Sequence, residues 1–388
     1  MSLRILTAGE SHGPALCGIL DGMPAGVEIE QQDFDLLMQK RWAGYGRGKR
    51  KSVEIDLVEV LSGIVGGKTI GSPISLLIRN QDYARHKSFM QPFGGTRASG
   101  DIPVPLPGHA DFAGAMKFGL DNCRYIRERA SARETAMRTA LSVPARNLLR
   151  ELGIDFTCFV EAIGGLRANI DYTAEPAELA ALVEECGHEF LTPDKKVCDQ
   201  WKKLIDDAGK CGRSLGGTAA VIFWNLPVGL GSHTQADLRL DSILSARLMS
   251  IPGVRGVEIG QALEISQLSS TADPIEFSEK KGFFRPTNFA AGIEGGISNG
   301  QPLVLRIHMK APPGGCRTGS VDLKSQKSTF PEAYRSDTQA MQAVAVVAES
   351  VTAIELASQI VDLTGGTNME NIFNRLGDLR KRTAAFFV

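Results

Sequence analysis

One apolar segment near the C-terminal end constrains the fold of this chain more than any other feature. From about Thr338 to Leu363 almost every position is apolar, and the run ends at Gly365-Gly366. A helix that is apolar on nearly every face belongs in the middle of a layered core. Glu349 and Glu355 interrupt the run, which favours a buried helix over a membrane span.

The composition indicates a folded protein with both helices and strands. Among 388 residues, 43% are hydrophobic and 22% are charged, which excludes disorder as the main state. The formal net charge of −1 argues against a strongly basic nucleic-acid-binding protein. Helical patterns alternate with runs typical of strands. These runs are Arg4–Thr7, Val53–Val60, Ile74–Ile78, Thr218–Trp224 and Leu303–Met309. We predict one domain of mixed α and β structure, residues 1–388.

Two patterns bear on the compartment and on metals. The N-terminal MSLRILTAGE has no apolar run followed by a cleavage site, so we expect no signal peptide and a cytoplasmic protein. The odd number of cysteines, seven, suits reduced thiols. Cys186, His188, Cys198 and Cys211 lack the paired spacing of a zinc site, and we expect no metal there.

A further helix is predicted after residue 130. Ser131 and Glu134 form a capping-box pattern, and apolar residues follow at helical spacing until Gly153. Pro144 should kink this helix.

Positive charge collects around the start of that helix. Arg129 and Arg133 flank Ser131, where free backbone N–H groups also favour an anion. His109, in the run Pro107–Asp111, precedes this arginine cluster, and we predict that it belongs to the same site.

The segment Gly9–Gly13 reads GESHG and has three interpretations. It matches the elbow that exposes the nucleophile of serine hydrolases, here Ser11, although only eight residues precede it and such elbows normally lie in mid-sheet. It also suits a glycine-rich turn with a hydrogen-bonded serine. In the third interpretation, His12 is a proton donor near neutral pH.

Two other glycine-rich segments are candidate phosphate sites. Ser62–Thr69 is a near miss to a phosphate-binding loop, because serine replaces the first glycine, and we predict a turn between strands. Arg41–Lys51 mixes cations, rings and glycines, a composition that suits single-stranded nucleic acid, a loop over a phosphorylated ligand, or a solvated loop.

Two interpretations also stay open in the C-terminal third. The strand Leu303–Met309, with Lys310 after it, follows the glycine-rich run Gly292–Gly300. Its polar face, with Arg306 and His308, suits either a cofactor phosphate or an exposed sheet surface. Asp337 precedes the apolar helix and suits a helix cap or a base held in place.

Taken in order, these segments make the chain resemble the chorismate synthase family over essentially its whole length. The segments that carry the resemblance are AGESHG (8–13), RWAGYGRGKR (41–50), SGIVGGKTIGSPI (62–74), PGHADFAGAMKFG (107–119), RASARETAMR (129–138), SLGG (214–217), RLMSIPGVRGVEIG (247–260), EGGISNGQP (294–302) and RSD (335–337).

The resemblance implies a fold, a reaction and partners. It implies an α+β protein of the layered β-α-β sandwich type, with buried helices between sheets, that assembles as a homotetramer. The implied reaction is the 1,4-elimination of phosphate from 5-enolpyruvylshikimate 3-phosphate to give chorismate. Tightly bound reduced FMN is required although no net redox change occurs. We see no nicotinamide-binding fingerprint and favour a separate flavin reductase over direct use of NADPH, with neither nucleic acid nor membrane as a partner.

The resemblance also implies roles for individual residues. His12 resembles the acid toward phosphate, His109 the group that protonates or stabilises reduced flavin, and Asp337 the base acting through flavin N5. Ser11 and Ser131 match supporting serines. The positions matching FMN contacts are Arg129, Ala130, Ser131, Pro252, Gly253, Gly295, Lys310, Ala311, Pro312, Pro313, Gly314 and Arg335. The positions matching phosphate contacts of the substrate or of NADP are Arg41, Arg47 and Arg133.

The chain departs from the family pattern at several positions. Leu106 stands where arginine is usual, and Gly314 ends a segment in which threonine is usual. These departures bear on FMN affinity. They leave a flavoprotein with another phosphorylated substrate as an alternative, and the GESHG segment separately leaves a hydrolase that uses Ser11.

Overall fold

The main strands form two antiparallel sheets with helices between them. The computed structural model describes residues 2–47, 56–94, 100–279, 282–313, 318–332 and 337–384. The helices are α1 (Gln31–Trp42), α2 (Tyr83–Met90), α3 (Asp111–Phe118), α4 (Arg124–Ala130), α5 (Thr135–Leu141), α6 (Val143–Glu151), α7 (Pro176–Glu185), α8 (Cys198–Lys210), α9 (Leu240–Met249), α10 (Ala262–Ile265), α11 (Met341–Thr364) and α12 (Met369–Ala384). The strands are β1 (Arg4–Gly9), β2 (Ala15–Asp21), β3 (Val58–Ser62), β4 (Ile64–Val65), β5 (Lys68–Thr69), β6 (Ile74–Arg79), β7 (Phe156–Ile163), β8 (Leu166–Arg167), β9 (Gly217–Phe223), β10 (Val254–Ile259), β11 (Glu276–Ser278), β12 (Gly282–Phe284), β13 (Ile293–Glu294), β14 (Ile297–Ser298), β15 (Leu303–Met309), β16 (Ser320–Val321) and β17 (Ser328–Thr329).

The two sheets differ in how they are covered. The four-stranded sheet has the order β1-β2-β6-β3, and its strands alternate buried and outward side chains, as a sheet covered on one face should. The five-stranded sheet has the order β10-β15-β9-β7-β8. Its central strand β9 is buried along almost its whole length, and α11 packs on it.

The apolar helix α11 is the centre of the layered core. It packs on β7 and β9 of the five-stranded sheet and, on its other side, on α1, α5, α6 and α9. Helix α5 in turn contacts β1, β2 and β6 of the four-stranded sheet. The resulting order is sheet, helices, sheet, which confirms the α+β fold of β-α-β layers that the resemblance implied.

Helix α11 has the length and composition of a membrane-spanning helix, but its surroundings are protein. Its most apolar window is 94% buried inside the molecule, so it is the core helix predicted from the sequence. Its buried Glu349 is paired with Arg146 of α6. Although burial opposes ionisation, Arg146 and Lys40 hold the pKa of Glu349 below its usual range. This pairing explains how a carboxylate is tolerated on the most buried helix.

The helix predicted after residue 130 begins differently from the prediction. A 3-10 turn, Ala132–Glu134, precedes α5, and the Ser131 side chain accepts a hydrogen bond from Arg133 N. Glu134 pairs with Arg138, so the reciprocal bond of a capping box is not made. The predicted kink is present, because the helix breaks between α5 and α6, just before Pro144.

Two glycine-rich turns connect strands, as expected. The turn Gly9–Gly13 joins β1 to β2 of the antiparallel sheet. Gly9 has φ of +103°, and a Cβ there would lie 2.3 Å from Ala15 O, so only glycine fits. The near miss to a phosphate loop forms the end of β3 and the hairpin β4–β5, which confirms the predicted turn between strands.

Candidate active site

A cavity of about 700 Å³ lies between the layers, beside α11. This volume is in the range of small-molecule sites, about 300–1,000 Å³. Most of the residues that the sequence singled out line it. They are His12, Arg41, Arg47, His109, Ala130, Ser131, Arg133, Pro252, Gly253, Lys310, Ala311, Pro312, Pro313 and Asp337.

One wall of the cavity is apolar and built from small side chains. Ala340, Ala343, Val344 and Val347 come from the start and first turns of α11. Small residues there leave room for a ligand beside the helix. The segment Ile251–Gly253 adds to the apolar lining. A flat aromatic ring would bury its faces against such walls.

His12 is held in one orientation by a buried carboxylate. Glu128 of α4 accepts hydrogen bonds from His12 N at 2.9 Å and from Nδ1 at 2.8 Å, and Arg124 donates to it at 3.3 Å. Burial opposes the ionised form, but the hydrogen bonds from His12 hold the pKa of Glu128 below its usual range. Since Nδ1 carries the proton to Glu128, His12 Nε2 is the nitrogen left for a ligand.

Ser11 lies behind this pair. Its backbone N donates to Glu128 O at 3.0 Å, and its hydroxyl accepts from the Ser131 hydroxyl at 3.3 Å. The turn that carries Ser11 joins two antiparallel strands, whereas a hydrolase elbow joins a strand to a helix. Ser11 itself is buried, and the interpretation that agrees with this geometry is the hydrogen-bonded turn.

His109 faces the cavity from the loop before α3. Burial lowers its pKa, so its imidazole is uncharged near neutral pH. Among the described residues its buried Nδ1 has no hydrogen-bond partner, which leaves that atom for a ligand. Gly108, with φ of +82°, turns its carbonyl toward Lys310 Nζ at 2.6 Å. This bond brings Lys310 and His109 to the same side of the cavity.

The arginines of the cavity are paired with acidic groups. Arg41 and Arg133 both contact Asp56, which also accepts a hydrogen bond from Trp42. Burial lowers the pKa of Arg41 to about 10, although Asp56 opposes the shift. Among the described residues, the two guanidinium groups of Arg41 and Arg133 share the carboxylate of Asp56.

Asp337 does not cap the apolar helix. Helix α11 begins four residues later, and Gln339 Oε1 accepts the hydrogen bond from Met341 N at 2.7 Å. The capping interpretation is therefore wrong. Instead, Asp337 Oδ2 lies 3.1 Å from Arg47 Nε at the cavity.

Several predicted residues lie elsewhere. Arg129 donates to the Thr7 side chain and carbonyl on β1, and Gly295 lies in the β13–β14 turn; neither lines the cavity. Gly314 and Arg335, like residues 48–51 of the basic run and 53–55 of the predicted strand, lie outside the described residues.

The polar face of β15 is neither an exposed surface nor part of the cavity. Arg306 is 1% exposed and is paired with Glu161 and Glu258. His308 contacts Glu258 as well. Both interpretations left open for this face are therefore wrong for Arg306, while the half-buried His308 does not line the cavity. Lys310, just after the strand, does reach the cavity.

The six cysteines among the described residues are free thiols. Cys186 and Cys198 lie 3.8 Å apart, Sγ to Sγ, and burial raises the pKa of Cys198 to about 12.

Sequence reasoning missed acidic residues that come close to the predicted site residues only in the folded structure. Glu128 stands next to the Arg129 already singled out, and its acidic side chain near a cationic cluster was a usable signal. Asp56, which contacts Arg133, and Asp82, which lines the cavity near His12, gave no such signal because they are far from those residues in sequence.

These features define a class of protein. A layered α+β fold holds a ligand-sized cavity, lined by two histidines, by several arginines and by an apolar wall. Such a cavity suits an enzyme that binds phosphorylated small molecules that also carry a ring.

The comparisons with known proteins give the family. The sequence profile described as chorismate synthase matches residues 3–361. The chain belongs to the chorismate synthase family.

Named relatives agree over nearly the full length. The chain is 41% identical over 371 residues to a chorismate synthase of Caldicellulosiruptor saccharolyticus. The matched region covers 95% of this chain and 97% of the relative. It is 44% identical over 377 residues to that of Desulforudis audaxviator, covering 96% of each. A solved structure titled "Crystal Structure of Chorismate Synthase" has a TM-score of 0.80 at 34% identity and covers 100% of this chain and 99% of its own.

Proposed function

We infer that the chain catalyses the chorismate synthase reaction. It eliminates phosphate from 5-enolpyruvylshikimate 3-phosphate, in the 1,4 sense, to form chorismate. Family membership supports the reaction, and one observation supports the site: His12 and His109 line the same cavity as the paired arginines. A leaving phosphate needs positive charge and a proton, and this cavity offers both.

The cavity fits a flavin as well as the substrate. The apolar wall of α11 suits a ring system, and the orphaned His109 Nδ1 is available to hydrogen-bond it. Reduced FMN, when bound, supplies electron density to the substrate as phosphate leaves. The cavity residues that we propose to hold it are Ala130, Ser131, Pro252, Gly253, Lys310, Ala311, Pro312 and Pro313. The placement of Arg129 and Gly295 does not support a flavin contact by them.

We propose distinct tasks for the polar residues. His12, fixed by Glu128, presents Nε2 as the acid toward the phosphate, and Arg41, Arg47 and Arg133 bind that phosphate. His109 stabilises the reduced flavin ring from the side of the cavity where Lys310 lies. Asp337, oriented by Arg47, accepts the proton that leaves the substrate.

The proposal also covers the oligomeric state of the chain and the source of the electrons that reduce the flavin. On the outer face of the four-stranded sheet, Leu6 and Ile19 lie opposite each other in register and are 68% and 43% exposed. An exposed apolar face of this kind suits contact with a second copy, and we propose a homotetramer. We further propose that residues 1–388 form one domain, that the enzyme is cytoplasmic, and that a separate reductase, rather than NADPH bound by this chain, reduces the flavin.

The test is an anaerobic assay with chemically reduced FMN. Phosphate and chorismate, measured together, should appear in equal amounts, and neither should appear with oxidised FMN. Phosphate without chorismate would point to hydrolysis. If flavin binds but neither product forms, a different phosphorylated substrate is indicated. A fluorophosphonate probe separates out the hydrolase alternative, and we expect no labelling of Ser11.

A further inference from the structure

A cluster of metal-ligating side chains lies at the wall of the cavity, and the proposed reaction does not use all of it. His12, Asp82 and His86 each offer a ligand atom, and these atoms lie within 4.8 Å of one another. Among the described residues this is the only group of three or more such side chains. Asp82 immediately precedes α2, and His86 lies four residues later in the first turn of that helix. The two side chains therefore project from one helix face.

The distances suit a tetrahedral ion. With metal–ligand bonds of about 2.1 Å, neighbouring ligand atoms lie about 3.4 Å apart. His86 Nε2 and Asp82 Oδ2 are already 3.3 Å apart. The rings of His12 and His86 have their centroids 4.3 Å apart, so the third ligand lies beside the other two.

Both histidines are prepared for the task. Glu128 accepts the proton of His12 Nδ1, the arrangement in which a carboxylate orients a metal-bound histidine. His86 holds its Nε2 beside Asp82 Oδ2, where an uncharged imidazole can bind a metal. The buried His86 Nδ1 has no hydrogen-bond partner among the described residues.

The surrounding charges select the kind of ion. Arg85 Nη1 lies 3.4 Å from Asp82 Oδ1, and further arginines line the cavity. Hard cations such as Mg²⁺ and Ca²⁺ depend on several oxygen ligands and are disfavoured here. Zn²⁺ and similar ions accept imidazole nitrogen and need only one carboxylate.

We propose that His12, Asp82 and His86 bind one divalent transition-metal ion of the zinc type, and that this ion inhibits the enzyme. The inhibition rests on the proposed function, because an ion on His12 Nε2 displaces the proton that the leaving phosphate needs. The binding itself does not depend on the reaction.

The binding test uses Co²⁺ as a coloured substitute, added to the flavin-free full chain. Wild type and the control His233→Ala, which removes an exposed histidine, should bind one Co²⁺ per chain with visible d–d absorption and no thiolate charge-transfer band. His86→Ala and Asp82→Asn should bind at least tenfold more weakly, with unchanged circular dichroism. Equal affinity in folded His86→Ala, or a thiolate band, would overturn the proposal.

The inhibition test uses Zn²⁺ with the flavin-loaded enzyme. Zn²⁺ should inhibit wild type and His233→Ala alike, and at least tenfold more Zn²⁺ should be needed for His86→Ala. Equal inhibition of His86→Ala would overturn the inhibitory role. If wild type forms no chorismate at all, the proposed function fails, while the Co²⁺ titration still decides the metal site.

Discussion

The contact between Glu128 and His12 provides the sharpest test of how the cavity works. Replacing Glu128 by glutamine keeps the shape and removes the charge. Glu128 uses both oxygens as acceptors, one toward His12 and the other toward Arg124 and His12. A glutamine has only one acceptor oxygen, so one of these donors must face an NH₂ group.

The expected loss of kcat follows from the missing acceptor oxygen. His12 Nδ1 loses one charge-assisted hydrogen bond of 2.8 Å, which is worth about 1.5–3 kcal/mol. If that energy holds the His12 ring in the orientation that donates its proton, kcat should fall about 10- to 150-fold. The KM should change little, because Glu128 does not line the cavity.

Steady-state kinetics with reduced FMN measure the effect. The matched control is Glu355→Gln, which also removes a buried carboxylate paired with an arginine but lies outside the cavity lining. Glu355→Gln should keep nearly full kcat. A folded Glu128→Gln with unchanged kcat, or a variant that changes only KM, would refute the positioning role.

The same residue makes the stability depend on pH. The folded protein holds the pKa of Glu128 below its ordinary 4.5. The carboxylate therefore stabilises the fold above pH 4.5, and this contribution is lost as pH falls through the folded pKa. The difference in unfolding free energy between wild type and Glu128→Gln should shrink in that acidic range.

Three further variants test other parts of the account. His109→Ala should stay folded and lose about 100-fold in kcat, since removal of one group that stabilises developing charge costs about 10²–10³; turnover near wild type would contradict its role. Asp337→Asn should lose kcat yet bind FMN with wild-type affinity in a fluorescence titration, and loss of flavin binding would count against it as a base. Glu349→Ala should lower the unfolding free energy in urea by about 3–5 kcal/mol, because Arg146 is left buried and unpaired; a loss under 1 kcal/mol would show that the pair is not important for the core.

The sequence predicted best those parts of the fold that have a clear apolar pattern. The strand Leu303–Met309 has the predicted bounds, and α11 differs from prediction by a few residues. Both are long segments whose burial is nearly complete, so the pattern alone determines them. The start of the helix after Ser131 was harder, because Glu134 has a competing partner, Arg138, one helical turn away.

The candidate site was predictable only where its residues lie in recognisable segments. His12, His109 and the arginines stand in such segments, and the fold brings them to one cavity. Contacts made across the chain were not predictable. Asp56 meets Arg133 across 77 positions, and Arg306 finds Glu161 across 145, so no local pattern records either pair.

The most direct test of the central claim is a crystal structure of the protein with FMN and 5-enolpyruvylshikimate 3-phosphate. Both ligands should occupy the cavity beside α11, with the substrate phosphate within hydrogen-bond distance of His12 Nε2 and of the arginines paired with Asp56. The flavin ring should lie against Ala343 and Val344. A substrate phosphate bound away from His12, or a flavin bound outside this cavity, would contradict the account.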